Sequence, residues 1–157
     1  MFSCNDESFQ DVEIQYNKEL IVNNSKILTK INPQLTEKNS IVFETEGEIK
    51  DFLNDLTLEL ENATPIEVYC ADGIYHGRAW TTGLTSLVFD VSVSGGCIKS
   101  ITGHIDGLGI PYSWSQGESN LGCSSGSVCG SLNVNIFLNG IGTVYSINQC
   151  FKISISC

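Results

Sequence analysis

Residues 84–106 read LTSLVFDVSVSGGCIKSITGHID, and their alternation decides the fold. Leu87, Phe89, Val91 and Val93 recur at every second position with Val88, Asp90, Ser92 and Ser94 between them, the period of a strand that buries one face. Gly95-Gly96 interrupts the pattern, and Cys97 to Ile105 resumes it. Paired glycines tolerate the positive φ of a tight hairpin turn, so these are two adjacent antiparallel strands.

The same period extends in both directions. Ile66 to Cys70 and Gly73 to Trp80 precede the pair, Leu84 to Ser94 and Cys97 to Ile105 form it, and Ser131 to Asn139 and Thr143 to Ser156 follow. Asp72-Gly73, Thr82-Gly83 and Asn139-Gly140 separate them with residues suited to primed turns. Of the 15 glycines, 14 lie beyond residue 70, as short strands joined by tight turns require.

Upstream the period changes to that of a helix. Ile41-Val42-Phe43 reads as a short strand, and Thr45 with Glu48 forms a capping box. Ile49, Phe52, Leu53, Leu56 and Leu60 then recur at spacings of three and four, with Glu48, Lys50, Asp51, Asp55 and Glu59 among them. Pro65 stops the helix, because it biases Thr64 toward extended backbone. The expectation is a mainly β fold, a β-sandwich or antiparallel sheet, with one N-terminal amphipathic helix at about 46–61 packed on it through Phe52, Leu53 and Leu56.

Residues 1–36 are polar and weakly patterned, with apolar clusters at Leu20-Ile21-Val22 and Ile27 to Ile31. They read as a tether with a weak docking segment, and 37–157 as a single disulfide-rich β domain.

Composition narrows the function. A net charge of −10 with eight basic residues scattered along the chain excludes the clustered cations that nucleic-acid binding needs. Residues 1–70 hold 14 acidic and 5 basic side chains, and residues 71–157 hold 4 and 3, so the β-rich half is nearly neutral. No apolar run reaches the roughly 18–20 residues of a membrane-spanning helix.

Seven cysteines stand at 4, 70, 97, 123, 129, 150 and 157. Cys70, Cys97, Cys123, Cys129, Cys150 and Cys157, with only two histidines in the chain, suit three disulfides and an oxidising compartment better than metal sites. Cys123 and Cys129 enclose five residues, which makes a local bridge the simplest pairing. Cys150 and Cys157 lie seven apart in one expected strand, about 23 Å at 3.3 Å per residue, and cannot pair with each other.

Cys4 is the odd cysteine, and its neighbours carry a resemblance. Phe2-Ser3-Cys4 resembles the end of a bacterial lipoprotein signal peptide, and Asn5-Asp6-Glu7-Ser8 resembles the acidic run of surface-exported Bacteroidetes lipoproteins. The resemblance implies that Cys4 is lipidated at the mature N-terminus. It also implies a bacterial cell-envelope location, at the outer membrane or surface, with membrane contact only through the anchor.

Asp106 to Gly130 is the longest aperiodic segment and reads as a functional loop. Tyr112 and Trp114, two apart, would project from one side as a platform, with Gln116 beside them as a polar contact. The ligand class is a glycan, a peptide or a protein, bound rather than transformed, with no cofactor and no metal implied.

Two other readings follow from the residues. A bridged loop at Cys123 to Cys129 would suit an inhibitor or immunity-type protein inserted into a partner's cleft. A hydrolase would use His76 or His104 with an aspartate from among Asp72, Asp90 and Asp106, and needs these groups to converge. No catalytic residue is assigned, since there is no Gly-x-Ser-x-Gly elbow, no Walker loop and no EF-hand loop.

Overall fold

The computed structural model describes residues 18–157, so Cys4 and the acidic run lie outside the described residues. Ten strands and one α-helix follow in order: β1 (Lys18–Val22), β2 (Ser25–Ile31), β3 (Ile41–Phe43), α1 (Glu46–Glu61), β4 (Ile66–Tyr69), β5 (Gly73–Thr82), β6 (Thr85–Ser94), β7 (Cys97–Gly107), β8 (Tyr112–Asn120), β9 (Ser125–Leu138) and β10 (Ile141–Ser156). The fold is mainly β, in two sheets with a single helix among the described residues.

The larger sheet has seven strands in the order β1-β2-β10-β9-β3, with β4 also on β10 and β8 also on β9. Its pairings are antiparallel except for the short parallel pairs β4 with β10 and β3 with β9. The smaller sheet is the antiparallel meander β5-β6-β7. Leu87, Phe89, Val91 and Val93 of β6 face Val128, Leu132, Val134, Ile147, Phe151 and Ile153 of β9 and β10 in one apolar core. The rings of Phe89 and Phe151 close that gap with centroids 5.4 Å apart, so the sheets stack face to face.

Helix α1 begins at Thr45, whose hydroxyl accepts from the Glu48 amide at 3.2 Å. Ile49, Leu53, Leu56 and Leu60 are buried in the same core, whereas Phe52 is half-buried and leans on Phe43 with centroids 5.4 Å apart. Polar links hold the helix from both sides. Trp80 Nε1 donates to Glu59 Oε2 at 2.9 Å, and the Asn23 amide donates to Thr57 Oγ1 at 2.6 Å.

Three expectations require correction. The tether assigned to 1–36 is sheet from Lys18 onward: Ile27, Ser25 and Thr29 are buried, and β2 pairs with β10 from Ile147↔Ile27 to Thr143↔Ile31. Asn23, with φ of 55°, makes the β1–β2 turn.

The loop assigned to 106–130 is largely strand, since β8 and the start of β9 fill it and pair from Tyr112↔Val134 to Asn120↔Ser127.

Cys123 does not bridge Cys129. The disulfides are Cys97–Cys123 and Cys129–Cys150, and Cys70 and Cys157 carry free thiols. Cys129 lies inside β9 directly opposite Cys150, and the extended chain from Ser125 to Cys129 already runs about 13 Å, past the reach of a bridge. Cys97–Cys123 instead ties the first residue of β7, in the small sheet, to the β8–β9 connection of the large one. The Ile98 amide supports it by donating to the Gly122 carbonyl at 2.9 Å.

Candidate functional site

The β5–β6–β7 sheet turns its even-numbered β6 residues outward, and Asp90 stands at their centre. The pairing His76↔Asp90 brings the first imidazole from β5, and His104, paired with Val88 on β7, brings the second. A bulge makes this alignment. Register shifts between Arg78 and Trp80, so Trp80 points into the core while Arg78 and His76 point out on the face of Asp90.

His76 Nδ1 lies 2.5 Å from Asp90 Oδ1, and His104 Nδ1 lies 3.7 Å from Asp90 Oδ2. Because a carboxylate only accepts, Nδ1 of neutral His76 is the protonated nitrogen, and Nε2 is the ring's remaining acceptor. His104 is beyond hydrogen-bond distance.

Arg78, Val88 and Asp106 complete the lining of an open cavity of about 390 Å³. The side chains of His76 and His104 are 69% and 48% exposed, so water reaches the whole cluster. Asp72 is not part of it, since its carboxylate accepts from the Gly95 amide at 2.8 Å and holds a hairpin turn.

Among the described residues no serine, threonine or cysteine is hydrogen-bonded to either imidazole. No group of three or more His, Cys, Asp or Glu side chains among the described residues is arranged to hold a metal ion. Donors on Arg78 and acceptors on Asp90 and Asp106 lie along the same cavity.

The expected ligand residues lie elsewhere. Tyr112 and Trp114 turn into the sandwich, where Tyr112 meets Trp80 with centroids 5.0 Å apart and Trp114 meets Phe151 at 5.9 Å. Glycine makes room for the indole: a Cβ at Gly103 would stand 2.6 Å from Trp114 Nε1. Burial, and next the charge of Glu59, raise the Tyr112 phenol above its ordinary pKa; burial and Glu46 do the same for Tyr145.

Gln116 is structural as well. Its amide accepts from Gly103 N and donates to Ile101 O, both at 2.6 Å, and so satisfies the free edge of β7 with a side chain.

On the opposite outer face, β8, β9 and β10 carry a hydrogen-bonded lattice of small polar groups. Asn133 donates to Ser115 at 2.9 Å and accepts from Ser146 at 2.6 Å, and Ser131 donates to Asn148 at 2.6 Å. These groups satisfy one another, which leaves the histidine face as the better placed site.

Comparison with family models, with curated proteins and with solved structures finds no match to this chain. The site therefore rests on its own geometry.

Proposed function

We propose that this chain is an exported β-sandwich binding module, held at a bacterial outer surface through a lipid on Cys4, that recognises glycan hydroxyls on the outer face of β5–β6–β7. The observation that carries the reading is the convergence of His76, Asp90 and His104 from three successive strands, flanked by Arg78 and Asp106. Vicinal hydroxyls donate and accept at once, which suits a surface where carboxylates, imidazoles and a guanidinium alternate. A net charge of −10 disfavours a polyanionic ligand. The cavity falls within the roughly 300–1,000 Å³ of small-ligand sites, and its openness suits one segment of a longer polymer.

Two bridged cysteine pairs support an oxidising compartment. Labelled palmitate supplied to cells expressing the full reading frame tests the anchor. Label should enter the protein and be lost in Cys4→Ala; label that persists there refutes the anchor.

A glycan array tests the site. Wild-type protein should bind one glycan class, and Asp90→Ala and Arg78→Ala should each lose that binding while keeping the melting temperature. Undiminished binding by both variants rules the face out. A hydrolytic reading has one observation in its favour, the fixed His76–Asp90 pair, and requires product release that His76→Asn abolishes.

A further inference from the structure

We propose that Cys70 and Cys157 are the two halves of a third, solvent-accessible disulfide that clasps the end of β10 to β4. The parallel register runs Ile153↔Ile66 to Ser156↔Tyr69, and one further step sets Cys157 beside Cys70. The Cys70 amide donates to the Ser156 carbonyl at 3.1 Å, which carries the pairing to that position. Neighbouring strands lie about 4.8 Å apart, inside the Cα separation of about 4.4–6.8 Å that a disulfide accepts.

A hydrogen bond with Cys70 raises the Cys157 thiol above its ordinary pKa, with slight desolvation and the charge of Cys70 adding to it. Cys157 is exposed and Cys70 half-buried, so a small disulfide reaches the pair without unfolding.

The position gives the clasp a purpose. Among the described residues β4 has β10 as its only sheet partner, and β4 leads from α1 across to β5 in the other sheet. Cys97–Cys123 and Cys129–Cys150 leave this corner unbridged.

The chemistry is thiol–disulfide exchange with a low-molecular-weight disulfide such as oxidised glutathione. One cysteine thiolate attacks a glutathione sulfur, forming a mixed disulfide and releasing one glutathione. The second cysteine then attacks that mixed disulfide and releases the other. Two electrons pass to glutathione, and two protons leave the protein thiols.

The test equilibrates the folded full-length protein with oxidised glutathione, alkylates it, and maps its peptides without reduction. The oxidant is supplied in the buffer, so the result depends on neither the export reading nor the glycan reading. A peptide linking Cys70 to Cys157, lower in mass by two hydrogens than the two thiol peptides, is the expected product. Mild dithiothreitol should open it before the other two bridges, and Cys157→Ser should leave Cys70 open to alkylation. Alkylation of both thiols after equilibration, or a separate glutathione on each, overturns the proposal.

Discussion

Trp114 meets Phe89 edge to face, with ring centroids 5.5 Å apart and planes at 89°, across the gap between the two sheets. A ring in that position fills the core, so Trp114→Ala should cost about 3 kcal/mol and lower Tm by roughly 6–12 °C. Trp114→Phe should cost less, because it also removes a buried indole N–H that has no hydrogen-bond partner. Thermal melts of the two variants decide; an unchanged Tm in Trp114→Ala would return the ring to the surface.

Within the helix, two adjacent residues should separate by burial. Leu53 is 3% exposed, whereas Phe52 is half-buried against Phe43. Leu53→Ala should therefore cost about 2–5 kcal/mol. Phe52→Ala should cost about 1–2 kcal/mol, despite the larger side chain removed. Urea denaturation gives both values, and the reverse order would mean that α1 presents a different face to the core.

Much of the fold was legible where burial and hydrophobicity coincide. The 46–61 helix and the strands from Ile66 to Ser94 follow their apolar period closely. Strands β2 and β8 were missed because their inward positions are not uniformly apolar: Ser25 and Thr29 share β2 with Ile27, and Gln116 follows Tyr112 and Trp114 on β8. The spacing of Tyr112 and Trp114 was itself a strand signal, read as a platform because the segment's other residues are polar. The side chains of the candidate site were named from the sequence, as His76 or His104 with Asp72, Asp90 or Asp106, but their convergence was illegible for a different reason. Without the bulge at Ala79 the alternation would place His76 on the side of Trp80, away from Asp90, and single-residue bulges leave no mark in a periodic pattern.

The Cys129–Cys150 bridge joins directly opposed positions of β9 and β10 that are 21 positions apart in the sequence. In the chain-entropy description, closing a loop of that size stabilises by roughly 3 kcal/mol. Cys129→Ala with Cys150→Ala should lose about that much, and non-reducing maps of the double variant should still show Cys97 linked to Cys123. A map of the wild-type protein with Cys123 joined to Cys129 would contradict this connectivity.

Alkali should weaken the fold through Tyr112. Its folded pKa is raised by burial first and by Glu59 second, and Trp80 fixes that carboxylate beside it. Below about pH 10 the phenol is protonated in both folded and unfolded chains, so its contribution is fully present. As pH rises through 10 toward the raised folded value, the unfolded chain ionises first and stability falls. Tyr112→Phe should flatten this alkaline loss in urea melts taken between neutral and high pH. An identical slope in the variant would remove Tyr112 as its source.

Asp90 should fix the proton of His76. An imidazole in water exchanges between tautomers, but a carboxylate oxygen 2.5 Å from Nδ1 selects the form protonated there and leaves Nε2 free to accept from a ligand hydroxyl. Nitrogen-15 shifts of the imidazole ring should therefore report protonated Nδ1 in the neutral wild-type protein and a tautomer mixture in Asp90→Ala. Stability should change by less than about 1 kcal/mol, because the pair is largely exposed and solvent screens it. His104 gives the internal control. At 3.7 Å its Nδ1 makes no hydrogen bond to Asp90, so its tautomer ratio should change little on the same substitution. A His76 tautomer that survives the loss of Asp90 would leave the outer face with an ordinary solvated histidine and would withdraw the oriented acceptor on which the glycan reading depends.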